Sequence, residues 1–182
     1  SIIHAVHHVL PRLVVKNLVV DVVDHLRLAG SHACIQVFSR VELLHLCGKG
    51  NLSPVLEGTD NYIQVEYLTE EQEMADAYAC ADILVSRAGS NSLCEILAVR
   101  TPALLIPYPK DASRGDQILN AESFRTQGFS HVLQQEDMTP ESLVRNIERL
   151  YHDRGALYEA MATEPTANGI DKVLEQIYKY AK

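Results

Sequence analysis

The sequence predicts an α/β fold, a Rossmann-like parallel sheet with helices on both faces. Three observations carry this. Short apolar runs alternate with helical stretches from about residue 41 onwards. That alternation is the pattern of a parallel sheet covered on both sides. One apolar run, Ile83 to Val85, leads directly into Gly89 and a following helix. The chain has 182 residues, which suits one domain with one sizeable core.

The elements follow in order. Ile2, Ile3, Val6, Val9 and Leu10 have near-helical spacing, with Pro11 close to the end of that helix. Residues 14–40 read in two ways. Leu18, Val19, Val22, Val23 and Leu26 suit a helix face stopped by Gly30, and the valine-rich run 19–23 equally suits a buried strand. Residues 34–38 look like a short strand. Strands are expected at 41–46, with a turn at 48–51, and at 62–67. A small-residue helix is expected at 74–81, after the acidic run Glu70, Glu71 and Glu73, which reads as its solvated start. A strand at 83–86 precedes a tight turn at 87–90 and a helix at 92–99. A strand at 103–107 follows Pro102. A helix at 117–128 ends on glycine, and Val132 and Leu133 form a last short strand. A helix at 140–151 takes Thr139 as its N-cap. A final helix covers about 168–180. There is no internal repeat and no low-complexity linker.

Composition excludes several classes. Hydrophobic residues make up 47% and charged residues 22%, so the chain is globular and not disordered. The net charge of -8 argues against nucleic acid, whose phosphates need a basic face. No apolar run reaches the roughly 18 residues that span a bilayer, and no secretory signal pattern opens the chain. Cys34, Cys47, Cys80 and Cys94 form no CxxC pair. Each has apolar neighbours and reads as a small core residue in a reducing cytoplasm. His4, His7 and His8 lack the spacing and carboxylate of a metal site and read as a surface cluster. Gly48-Lys49-Gly50 is a turn without a P-loop pattern. Arg114-Gly115-Asp116 spells an adhesion tripeptide by coincidence.

The chemistry concentrates in residues 82–121. In an open parallel sheet, ligands bind at the carboxyl ends of the strands. Gly89 there lets the backbone approach a ligand closely. The N–H groups of Ser90, Asn91 and Ser92 then open a helix and make a site for a phosphate. Glu95, one turn on, can accept hydrogen bonds from two neighbouring hydroxyls, as on a ribose. Ser92-x-x-Glu95 is also a capping box, in which both side chains merely satisfy backbone donors. The next loop, 107–120, opens on the same edge. It ends in Gln117 and Asn120, three apart on one helix face. Their carboxamides offer donors and acceptors that suit sugar hydroxyls. The alternative is the solvated first turn of a helix.

The ordered motifs SRAG-small-x-S/T-x-x-E, A-x-x-x-P-A-x-x-I-P and D/Q-Q-x-x-N-A resemble those of MurG-type glycosyltransferases, of glycosyltransferase family 28. These enzymes transfer N-acetylglucosamine from UDP-N-acetylglucosamine to an undecaprenyl-linked muramoyl-pentapeptide, lipid I to lipid II, in peptidoglycan synthesis. The resemblance runs from about Glu42 to the C-terminus, with residues 2–14 similar to the first helix of the family's C-terminal domain. SRAGSNSLCE with SRGDQILNAESF looks like the version from Gram-positive bacteria.

The resemblance implies the C-terminal, donor-binding half of a GT-B fold, with 1–182 as one domain. Glu95 would hold the UDP ribose, and Gly89, Ser90, Asn91 and Ser92 would face the diphosphate. Leu68 would sit against the uracil, and Gln117 and Asn120 would reach the N-acetylglucosamine hydroxyls. Arg87 would also belong to the donor site. Asp116 stands where some relatives carry a second glutamine. No metal or cofactor is implied; UDP-N-acetylglucosamine is a substrate. The implied partners are an N-terminal acceptor domain and a lipid-linked acceptor. The implied location is cytoplasmic, peripheral at the inner face of the plasma membrane. The sequence departs from the family pattern in two respects. The strand and glycine-rich turn that open the family's C-terminal domain are not recognisable, and 15–41 forms an atypical insert. Two other functional classes remain: a stand-alone nucleotide-sugar-binding subunit that pairs with a membrane-associated acceptor chain, and a non-enzymatic Rossmann-like module.

Overall fold

A computed structural model describes the backbone of residues 18–21, and residues 42–111 and 114–163. The expected first and last helices, the strand at 34–38 and the histidine cluster lie outside the described residues. Six strands form one sheet: β1 (Leu18–Asp21), β2 (Leu43–Leu46), β3 (Tyr62–Val65), β4 (Ile83–Ser86), β5 (Ala103–Leu105) and β6 (Ser130–Val132). Their order is β3-β2-β1-β4-β5-β6, and every pairing is parallel. Four α-helices of ten or more residues are described: α1 (Glu71–Cys80), α2 (Ser90–Val99), α3 (Asp116–Thr126) and α4 (Pro140–Ala162).

β1 makes residues 18–21 of the doubly read stretch a strand and corrects one expectation. The opening strand that was not recognisable in the sequence is supplied by Leu18–Asp21, inside the sheet. It pairs with β2 from Leu18↔Leu43 and with β4 from Leu18↔Ile83. The chain runs outward from β1 through β2 to β3, then crosses back to β4 and runs outward through β5 to β6. The direction therefore reverses between β1 and β4. That is the switch point, where neighbouring loops diverge and leave a crevice.

β4 and β5 are buried on both faces, as a sheet covered on both sides requires. Every residue of β4 and β5 is buried. One face of the sheet (Leu43, Tyr62, Ile83, Val85, Leu104) packs on Leu143, Ile147, Leu150 and Leu157 of α4. The other (Leu46, Leu84, Ala103, Leu105) packs on Leu93 and Ile96 of α2 and Ala121 of α3, with Met74, Ala77 and Tyr78 of α1 half-buried against them. Burial of each such aliphatic side chain contributes about 1.5–3 kcal/mol.

Helix ends account for most differences from expectation. α4 begins as expected: the Thr139 Oγ1 accepts from the Ser142 N–H at 3.1 Å, and the Ser142 Oγ accepts from the Thr139 N–H at 2.8 Å. It runs to Ala162 and not to 151, because Leu157 and Met161 continue the buried stripe past the polar, glycine-containing stretch 152–155. α3 stops before Gly128, whose φ of 78° is cheap only for glycine. Its N–H donates to the Arg125 carbonyl at 3.0 Å. α1 starts at Glu71, three residues early, inside the acidic run. The cysteines need a correction. Cys47 is buried, but Cys80 and Cys94 are exposed, since both sit on helix faces turned from the sheet.

Candidate functional site

All six strands end on one edge, and the loops that carry the expected residues follow β3, β4 and β5 there. The β4 loop lies at the switch point itself. After Ser86 the chain passes Arg87 and Ala88, both buried, and reaches Gly89, the N-cap of α2. Gly89 has φ -68° and ψ 146°, a backbone open to any residue. A Cβ built on it meets nothing within 4 Å. Neither its conformation nor packing among the described residues requires glycine here. Among the described residues, the space beside it is open. The N-cap of α2 makes no side-chain cap hydrogen bond, so the first-turn N–H groups of Ser90, Asn91 and Ser92 are the donors that a helix N-terminus leaves without intrahelical partners.

The capping box expected as the alternative at Ser92-x-x-Glu95 is absent. α2 begins two residues earlier, at Ser90, so Ser92 lies inside the helix. The Glu95 carboxylate is exposed, and its Oε2 accepts from the Tyr78 hydroxyl of α1 at 3.0 Å. Glu95 is thus not consumed in holding the helix end. Leu68, in the loop after β3, is half-buried against the same apolar cluster as α1 and α2.

Arg87 and the two carboxamides tie the loops together. The Arg87 guanidinium is buried and lies 3.9 Å from the Tyr108 ring centroid. It donates to the Ile106 carbonyl at 3.0 Å and to the Gln135 Oε1 at 2.7 Å, joining the loops after β4, β5 and β6. The Gln117 Oε1 accepts from the Tyr108 N–H at 3.1 Å, and the Asn120 Nδ2 donates to the Ala88 carbonyl at 3.1 Å. These partners fix both amide orientations. Among the described residues, these bonds use the Gln117 Oε1 and the Asn120 Nδ2 and not the Gln117 Nε2 or the Asn120 Oδ1. Neither side chain is the merely solvated first turn that the spacing alone allowed. Asp116 is exposed in the first turn of α3, where its charge complements the helix dipole.

One polar cluster went unnoticed in the sequence. His45 of β2 shares a 2.7 Å hydrogen bond between its Nδ1 and the Tyr62 hydroxyl of β3, and its buried Nε2 has no partner among the described residues. Burial pushes the His45 pKa down to about 4. Burial, helped by the Cys47 charge, pushes Tyr62 up to about 12. No spacing signals such a pair, because its members belong to different strands.

Fold and site define a Rossmann-like domain that presents uncapped helix donors, a carboxylate and oriented carboxamides along one sheet edge, beside the switch point. Residues 11–177 match the glycosyltransferase family 28 C-terminal domain, and the chain belongs to that family. It is 44% identical over 141 residues to a UDP-N-acetylglucosamine--N-acetylmuramyl-(pentapeptide) pyrophosphoryl-undecaprenol N-acetylglucosamine transferase of Lachnospira eligens, covering 78% of this chain and 39% of that protein. It is 40% identical over 146 residues to the protein of the same name from Clostridium botulinum strain Loch Maree, covering 80% and 41%. The chain therefore spans about two fifths of the length of these curated relatives. Acinetobacter baumannii MurG superposes with a TM-score of 0.70 at 23% identity, covering 93% of this chain and 51% of that one. The glycotransferase of kitacinnamycin superposes with a TM-score of 0.66 at 20% identity, covering 85% and 39%. These two likenesses establish the shared fold, the C-terminal Rossmann-like half of GT-B glycosyltransferases.

Proposed function

We propose that this chain binds UDP-N-acetylglucosamine as the donor half of a glycosyltransferase that converts lipid I to lipid II. The observation that carries the reading is the open, uncapped turn at Gly89 leading to an uncommitted Glu95, in a chain about 40% identical to relatives named for that reaction. In this reading the diphosphate lies on the N–H groups of Ser90, Asn91 and Ser92. The positive end of α2 stabilises the charge that builds on UDP as it leaves. Glu95 accepts from the ribose hydroxyls, and Leu68 lies against the base. Gln117 and Asn120 address the sugar through the amide halves that the fold does not use, with Asp116 beside them. Arg87 serves the donor by fixing three loops. The lipid-linked acceptor meets an N-terminal acceptor domain at the inner face of the membrane. Among the described residues, no helix is long and apolar enough to cross a membrane.

Titration with UDP and with UDP-N-acetylglucosamine tests the reading. Gln117→Ala is expected to weaken the sugar nucleotide by about tenfold, the effect of losing a hydrogen bond in a site built to make it. UDP affinity should stay within about twofold, a difference below 0.5 kcal/mol. Equal losses for both ligands would remove Gln117 from the sugar site. A wild-type chain that binds neither ligand would end the donor-domain reading.

A further inference from the structure

We propose that Tyr78 is the positioning residue for Glu95, and that it sets how strongly this site selects ribose over 2′-deoxyribose. The inference rests on the donor reading above and deepens it. It starts from the hydrogen bond in which the Tyr78 hydroxyl donates to the Glu95 Oε2 at 3.0 Å. The two groups differ in how firmly they are held. Glu95 is exposed on α2, and a glutamate on an exposed helix face ordinarily samples many rotamers. Tyr78 is half-buried, with its ring against the cluster formed by Leu84, Leu93 and Ile96. The packed ring therefore presents a fixed donor to a carboxylate that would otherwise wander.

One phenolic donor does not exhaust the carboxylate. An ionised carboxylate offers about four lone-pair sites. With Oε2 engaged once, Oε1 is untouched and Oε2 keeps a second site. About three acceptor positions in one fixed plane remain, more than the two that a vicinal diol needs. Tyr78 thus lowers the ordering cost of binding such a diol without competing for it. A 2′-deoxyribose offers one hydroxyl where ribose offers two. It draws on only part of the preorganised carboxylate and loses less when the preorganisation is removed. α1 carries only one aromatic residue, Tyr78, in the run EQEMADAYAC. Its place on the neighbouring helix, 17 residues before Glu95, hides the pairing from any local motif.

The test is a set of titrations with UDP and 2′-deoxy-UDP on the wild-type chain, Tyr78→Phe, Glu95→Ala and the double variant, with thermal melting of each. The expected wild type prefers UDP. Tyr78→Phe keeps the ring and its packing. It should reduce the UDP to 2′-deoxy-UDP preference about fivefold, mostly through weaker UDP binding, on the scale of one hydrogen bond to a charged group at an exposed site. In the Glu95→Ala background, Tyr78→Phe should change nothing further. If Tyr78→Phe melts like wild type and keeps the full preference, while Glu95→Ala loses it, the proposal falls and the donor reading stands. If it lowers both affinities equally, Tyr78 supports the fold and not the carboxylate, and the proposal again falls. If the wild type binds neither nucleotide, or Glu95→Ala leaves the preference intact, the donor reading of Glu95 fails and takes the proposal with it.

Discussion

Glu95 and His45 are side chains whose surroundings decide what they do. A Glu95 that capped α2 would couple ligand binding to folding, so any substitution would lower both. With α2 starting at Ser90 and the carboxylate held, among the described residues, by Tyr78, the two effects separate. Glu95→Ala is expected to weaken UDP by about 1–3 kcal/mol, the range for a lost hydrogen bond to a charged group, and to leave the melting temperature within about 2 °C. A matched drop in melting temperature with unchanged UDP affinity would restore a structural role. His45 makes the opposite case, a titratable group committed to the core. Its pKa is lowered from 6.5 to about 4 by burial. Above pH 6.5 the residue is neutral in both the folded and the unfolded chain. Below that value the unfolded chain takes up a proton that the folded chain refuses. Stability is therefore fully present above pH 6.5 and falls as the pH drops towards 4, by about 3 kcal/mol from this residue. Denaturant titrations across pH 4–7 should give a flatter profile for His45→Asn than for wild type; parallel profiles would refute the assignment.

At the scale of elements, the end of α2 stands out. Arg100, its C-cap, adopts φ 56° and ψ 33° and donates from its N–H to the Ile96 carbonyl. The left-handed conformation costs a residue with a Cβ about 1–2 kcal/mol, whereas glycine pays only its larger unfolded-state entropy. Arg100→Gly is expected to stabilise the chain by about 0.5–1 kcal/mol, or roughly 1–4 °C in melting temperature. A lower melting temperature would mean that the arginine side chain contributes more than the conformation costs. The same helix was legible in the sequence from Ser92 onward. Its first turn was not, since Gly89-Ser90-Asn91 reads locally as a loop and only the close packing of Leu93 and Ile96 under β4 fixes where the helix begins. The 152–162 half of α4 was missed for a related reason. His152, Asp153, Arg154 and Gly155 form a local stop signal, which the burial of Leu157 and Met161 overrides.

For the molecule as a whole, UDP should bind the folded chain and not the unfolded one. At a ligand concentration one hundred times Kd, linkage adds about 2.7 kcal/mol. That amount raises the melting temperature by about 5–10 °C for a chain of this size. An adenine nucleotide at the same concentration should raise it far less, and equal shifts would indicate a phosphate site without base recognition. Sugar transfer to a lipid-linked acceptor, by contrast, should be undetectable with the 182-residue chain alone. Near-attack geometry needs the acceptor held opposite the donor, and the chain spans only about two fifths of its relatives. Measurable turnover would overturn that division of labour.

The sequence by itself determined the α/β class, most strand positions from β2 to β6, and the motifs that carry the donor reading. These are local signals: apolar runs bounded by glycine and proline, a glycine entering a helix, and residue types at fixed spacing. Only the tertiary structure decided which strand stands at the centre, because residues 18–23 suit helix and strand equally until β2 and β4 pair with Leu18–Asp21 on both sides. It also decided what the polar side chains hold. Tyr78 with Glu95, Arg87 with Gln135, His45 with Tyr62 and Asn120 with Ala88 are all partners from different elements. Their pairing follows from how the chain folds back on itself, a relation that residue spacing does not encode.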